Sequence, residues 1–285
     1  MKNNNNNRLT FDAYKSTIDE LINNKQIDKL KLQEDYFDIC GNYWIVDQYL
    51  ACCGVFEEGL TPNTLETYTK AIENNYAISI PVRMLDDENI VCFAHQNISK
   101  AIPTTSGYIK KLSLKEVKEL KLNENGDTIP TLEEALNHIA GKTPIILEII
   151  NDGMVEKFED KVISILKDYI AQYDCYEKVA VMSINPYTLE YFFNHFPYIT
   201  RILKSGLFKD KNYGSFKTKK LKKLKYYKIT HADFIAYSHE LLPSSIVERY
   251  KPVGTIAHSI MNQSQYIAVA EHCDNIIFKN FKPTI

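Results

Sequence analysis

The chain has 285 residues, 45% hydrophobic and 25% charged, with a net charge of −2. That suits one large α/β domain or two small ones, and the near-neutral charge excludes a global pull toward nucleic acid or anionic membrane. Six cysteines without a C-x-x-C pair exclude a dense disulfide scaffold, no apolar run reaches the roughly 20 residues of a membrane span, and the start lacks a signal-peptide core, so a cytoplasmic protein is expected.

In chain order, residues 1–8 with the Asn3 to Asn7 run predict disorder, and Phe11 to Ile22 has helical spacing with Thr10 as its N-cap. Residues 24–45 form a polar-to-aromatic lead-in expected to cover one end of the main domain, which gives an N-terminal extension 1–45 and a main domain 46–285. Strand patterns follow at 48–53, 77–82, 90–94, 145–150, 178–183, 200–204, 232–237, 253–258 and 274–278. Helical patterns fall at 64–75, 114–121, 131–140, 155–172, 186–195, 240–250 and 264–271. Such alternation predicts a parallel sheet covered by helices, and about eight units favour a closed (β/α)8 barrel of TIM type. Nine strands is one too many, and the pair joined by the acidic turn Asp86-Asp87-Glu88-Asn89 is where the irregular strand is expected. Those three acids read as solvated turn residues. Residues 95–130 are polar, broken by Gly107 and Gly126, and read as an inserted flap over the barrel mouth.

Several connecting pieces carry a resemblance. Asn63-Thr64-Leu65-Glu66-Thr67-Tyr68, Ile129-Pro130-Thr131-Leu132-Glu133-Glu134-Ala135-Leu136, Val181-Met182-Ser183-Ile184-Asn185-Pro186, Gly254 to Asn262 and Asp274-Asn275-Ile276-Ile277 occur in order. Together they resemble the bacterial glycerophosphodiester phosphodiesterase family, from about Tyr49 to Pro283. The resemblance implies a barrel with a divalent metal, two catalytic histidines, and an arginine and a lysine that hold phosphate. Hard carboxylate oxygens suit Mg²⁺ or Ca²⁺, imidazoles share the proton transfers, and cations offset phosphoryl charge.

At the positions the resemblance assigns to that chemistry, the residue types are wrong. The H-R-G strand end is Cys52-Cys53-Gly54, and the metal-binding E-x-D is Ser79-Ile80-Pro81. The acid of P-E-N-[ST] is missing from Thr61-Pro62-Asn63-Thr64. V-V-F-H-D becomes Val91-Cys92-Phe93-Ala94-His95, with Ala94 at the histidine and His95 one residue out of register on the opposite face. E-I-K becomes Glu148-Ile149-Ile150, keeping the carboxylate and losing the lysine. The catalytic positions are thus held by Cys52, Cys53 and Ala94, and Glu148 is left as a lone metal carboxylate beside Ser79 and Pro81. It is expected either to hold a cation weakly or to hydrogen-bond Ser79 or water.

The expected pocket lining is Cys52, Cys53, Ser79, His95, Glu148, Ile150, Ser183 and His258, with His258 in place of a pocket tryptophan, either as a ligand contact or as a satisfied histidine. Cys52-Cys53 reads either as a thiol or metal site, with His95, or as two small residues filling the space of the missing His-Arg pair, and the filler reading is favoured because no cation is visible to lower a thiol pKa. Phe216 to Lys228 holds seven lysines and no acid, and reads as a solvated face or as a basic amphipathic helix resting on lipid through Lys217–Lys228. The functional expectation is a degenerate family member, without cofactor, kept for binding a small phosphodiester-like ligand or a protein partner, with no nucleic acid. The alternatives are a divergent phosphodiester hydrolase of glycerophospholipid metabolism, using Mg or Ca, and a lipid-surface scaffold.

Overall fold

The computed structural model describes residues 42–208, 215–250 and 253–284. The helix expected around Phe11, its Thr10 cap and most of the N-terminal extension lie outside them.

All nine sequence-predicted strands form: β1 (Leu50–Cys52), β2 (Ala77–Met84), β3 (Ile90–Cys92), β4 (Ile145–Ile149), β5 (Val179–Ser183), β6 (Thr200–Ser205), β7 (Phe234–Ser238), β8 (Gly254–Ile260) and β9 (Asn275–Phe278). Eight are parallel and run β1-β9-β8-β7-β6-β5-β4-β2, with β1 pairing β2 to close the barrel. β3 is the extra strand, antiparallel to the outer end of β2 through Val82↔Cys92 and Met84↔Ile90.

The helices are α1 (Trp44–Asp47), α2 (Leu65–Glu73), α3 (Leu114–Glu119), α4 (Leu132–Ile139), α5 (Lys157–Tyr173), α6 (Pro186–His195), α7 (Ser215–Lys222), α8 (Tyr227–Thr230), α9 (Ser245–Tyr250) and α10 (Gln263–Val269). Their starts explain the connecting motifs. Thr64 caps α2 by accepting from the Thr67 N–H, Thr131 and Glu134 form a reciprocal capping box on α4, and Asn185 caps α6 with Pro186 in its first turn. Two expectations need correction. The pattern at 240–250 is a 3-10 turn, His239–Leu241, and then α9, because Pro243 has no N–H for a continuous helix. The lysine segment is two helices, α7 and α8, separated at Leu224, whose φ is +51°.

The two faces of each strand build two cores. Outward residues such as Ile78, Leu147, Val181 and Ile235 pack under the helices. Inward residues Leu50, Ile146, Ile202 and Ile256 come from alternate barrel strands and form one interior layer, with Ala77, Ala180 and Phe234 filling between them. Trp44 and Ile45 of α1 join this inner cluster and plug its N-terminal end, anchored by Asn275 Nδ2 donating to the Ile45 carbonyl at 2.7 Å. Beyond β3, Phe93, Ile98, Ile109, Val117 and Ile129 give the flap a small core of its own.

Candidate functional site

Two residues above the Leu50, Ile146, Ile202, Ile256 layer, the same four strands place Cys52, Glu148, Lys204 and His258 at the C-terminal mouth. Lys204 Nζ donates to Glu148 Oε1 at 2.7 Å. Burial disfavours the Lys204 charge, but Glu148 outweighs it and lifts the ammonium above its ordinary pKa. The expectation that the rim lacks positive charge is therefore corrected. A cation sits in the mouth, from β6, a strand outside the family motifs. Its signal was the alternation of Thr200, Ile202 and Lys204, which turns all three inward.

His258 is buried, with Nε2 2.7 Å from the Ser205 carbonyl and Nδ1 2.9 Å from Ser259 Oγ. A carbonyl only accepts, so Nε2 carries the proton and Nδ1 accepts from the serine hydroxyl. Burial, helped by the Lys204 charge, pushes its pKa down to about 4. It is a neutral imidazole with both nitrogens occupied. Against the G-x-x-x-x-W-T-x-N pattern that Gly254 to Asn262 resembles, the tryptophan position falls on Ser259, which corrects the reading of His258 as its replacement. Ser259 has φ +67° beside a register shift in β8 and is exposed, which leaves His258 as the inward side chain.

Cys52 and Cys53 lie with their sulfurs 3.6 Å apart. The hydrogen bond between them lowers the Cys52 thiol pKa against its burial, Lys204 lowers it further, and Cys53 is raised in turn. The expectation that no cation reaches these thiols is thus also corrected.

The other expected lining residues divide. Ser79 is buried on β2 and its carbonyl accepts from the Cys53 N–H at 2.8 Å. Ile150 is half-buried, tied by its N–H to the Val82 carbonyl. Ser183 is not brought into the mouth layer: it shares the outer face of β5 with Val179 and Val181, and its hydroxyl donates to the Ile149 carbonyl at 2.8 Å. His95 is exposed, its ring edge-on to Phe93 of the flap core at 6.0 Å. At the Ala94 position the backbone carbonyl accepts from Arg83, whose other nitrogen pairs with Asp152 at 2.7 Å. Arg83 shares the face of β2 that carries Ser79 and Pro81, and sequence reasoning passed over it.

The residues present do not fit a hard divalent cation. Glu148 has an ammonium on one oxygen, and its partner positions Ser79 and Pro81 bring no carboxylate. Among the described residues no three His, Cys, Asp or Glu side chains are grouped to hold a metal ion. Beside the Lys204–His258 half of the mouth lies a cleft of ≈ 410 Å³, lined in part by Lys204, Ser238, His239, His258, Ser259 and Gln265. In the lysine segment Leu221 and Leu224 are buried and serve the protein interior, whereas Lys219, Lys223, Lys225 and Lys228 are exposed. No described helix is long and apolar enough to cross a membrane.

A search of curated proteins finds no significant match. Among solved structures, 36 chains match. One from Galdieria sulphuraria, assigned as a glycerophosphodiester phosphodiesterase, gives a TM-score of 0.66 at 19% identity over 82% of this chain and 94% of its own. A phosphodiesterase from Oleispira antarctica, solved with its product sn-glycerol-3-phosphate, gives 0.65 at 19% identity over 84% and 95%. The glycerophosphodiester phosphodiesterase of Thermotoga maritima gives 0.60 at 18% identity over 81% and 94%. Similarity at this level establishes the shared barrel. The model of the glycerophosphoryl diester phosphodiesterase family matches residues 56–251, well over half of the chain. With the closed barrel and the capped helix starts in place, the chain belongs to the glycerophosphoryl diester phosphodiesterase family.

Proposed function

We propose that this barrel is a non-catalytic member of its family, its mouth kept as a binding site for a small polar ligand of phosphodiester-like chemistry. The observation that carries this reading is the ion pair of Lys204 with Glu148. It neutralises the last acid of the family's metal set from within the chain. A general acid or base contributes about 10² to 10⁴ in rate. Here the positions for both histidines, two metal carboxylates and both phosphate cations hold Cys52, Ala94, Ser79, Pro81, Cys53 and Ile150. His258 is a poor substitute base, since burial and the Lys204 charge push its pKa down to about 4.

The cleft beside Lys204 supports the binding half of the proposal. Its volume of ≈ 410 Å³ is in the range of small-molecule sites, about 300–1,000 Å³. Hydrolysis of glycerophosphodiesters with Mg²⁺ or Ca²⁺ tests the first half. No product above background is expected, and turnover lost in Glu148→Gln would overturn it. Equilibrium binding of sn-glycerol 3-phosphate and intact glycerophosphodiesters tests the second. Binding weakened at least about tenfold in Lys204→Met is expected. Absence of binding by all of them would remove the ligand assignment.

A further inference from the structure

Adjacent side chains on an extended strand point to opposite faces, so two neighbouring cysteines do not normally meet. Here the chain leaves the extended conformation at the end of β1. Cys53 has φ +59° and Gly54 +76°, and the Cys53 N–H is fixed to the Ser79 carbonyl at 2.8 Å. That left-handed turn swings the second sulfur round to within 3.6 Å of the first. Cys52 is partly accessible and Cys53 buried, and both thiols lie within electrostatic reach of Lys204 or Lys279.

The separation decides what the pair can do. A disulfide needs sulfurs about 2.05 Å apart and prefers Cα atoms about 4.4–6.8 Å apart, whereas neighbouring Cα atoms are held near 3.8 Å. Direct oxidation would therefore distort the turn. A single atom bonded to both sulfurs at about 2.3 Å would subtend an angle of about 100°, which suits a pyramidal or tetrahedral centre. Thiolates select soft centres, and no further protein ligand is needed if that centre brings its own.

We propose that Cys52 and Cys53 form a chelating site for a soft, thiophilic trivalent centre of the arsenic or antimony class. With an arylarsonous acid the step is a ligand exchange. Two As–O bonds break, two As–S bonds form, and the two hydroxides leave as water with the thiol protons. No electrons are transferred. Lys204, already paired with Glu148, supplies positive charge that favours loss of the Cys52 proton.

The test uses phenylarsonous acid and the full chain in excess monothiol, read by intact mass and by alkylation of the free cysteines. One equivalent is expected to bind, to survive the monothiol, and to leave with a small dithiol. Bound protein should protect Cys52 and Cys53 together from N-ethylmaleimide while the remaining four cysteines keep their reactivity. Cys52→Ser and Cys53→Ser should each lose at least about 100-fold in affinity, as a chelate becomes a single bond, whereas Cys92→Ser should not. Retention of the adduct in either serine variant, or protection mapped elsewhere in the wild-type chain, would overturn the assignment. The wild-type protection pattern decides the matter even if a variant fails to fold.

Discussion

Lys204 and Glu148 stand on strands β6 and β4, separated by β5, yet their charged ends meet at 2.7 Å across the barrel mouth. The register explains it. Alternate strands of a tilted barrel contribute to one layer, so the two side chains are neighbours in the mouth though distant in sequence. Removing one partner leaves the other charge largely buried without this ion pair, which costs about 3 kcal/mol, less what water entering the mouth recovers. Lys204→Met and Glu148→Met are therefore each expected to destabilise by about 2–3 kcal/mol in urea unfolding, and the double variant by distinctly less than their sum. Strict additivity would show that the pair is not coupled.

The contrast between what the sequence disclosed and what it hid follows from this layer. Nine strands and the misfit of β3 were readable because apolar alternation and turn residues act locally. The departures at Cys52, Cys53, Ser79, Pro81, Ala94 and Ile150 from the residue types the family resemblance implies were readable because those positions sit inside contiguous motifs. Lys204 was hidden because its partner is 56 residues away, and only the barrel register brings them together. Cys52-Cys53 was read as filler for the same reason, since the cation that acts on it comes from β6. Ser183 was misplaced through parity: it closes the outer face of β5 and serves the turn into α6.

The tethered ammonium yields a prediction about metals. Ser79→Glu with Pro81→Asp would bring two carboxylates beside Glu148, matching the hard-oxygen set the family resemblance implies. That double variant should still bind Ca²⁺ or Mg²⁺ poorly in calorimetry, because Lys204 occupies Glu148. Adding Lys204→Met should strengthen binding at least about tenfold, the effect expected from removing about 1.4 kcal/mol or more of charge repulsion. Equal affinity with and without Lys204 would show that the ammonium does not guard the carboxylate.

Gly206 tests how the cleft is held open. Its φ is +134°, and a Cβ there would lie 2.1 Å from Ser238 Oγ and 2.7 Å from the Ser238 backbone nitrogen. The Ser238 hydroxyl is already engaged by the Leu207 N–H at 2.9 Å. Neither backbone nor side chain can yield without moving the β6 and β7 ends apart. Gly206→Ala should cost about 3 kcal/mol in thermal or urea unfolding from strain and overpacking combined. Ligand binding at the cleft should weaken with it, and a neutral substitution would mean these strand ends shift freely.

His258 supplies a pH dependence whose sign is fixed. Its folded pKa, about 4, lies below the ordinary histidine value of 6.5. Stability from this group is therefore complete above about pH 6.5, where both folded and unfolded histidine are neutral. It declines as pH falls toward about 4, because the unfolded chain takes up the proton first. The full loss is about 3 kcal/mol. His258→Asn keeps a donor for the Ser205 carbonyl and cannot titrate, so the difference in unfolding free energy between wild type and variant should shrink steadily from pH 7 to pH 4. Taking the difference removes the contribution of carboxylates common to both. If the two curves run parallel instead, His258 takes up its proton in the native mouth as readily as in the unfolded chain, and burial beside Lys204 does not hold it neutral.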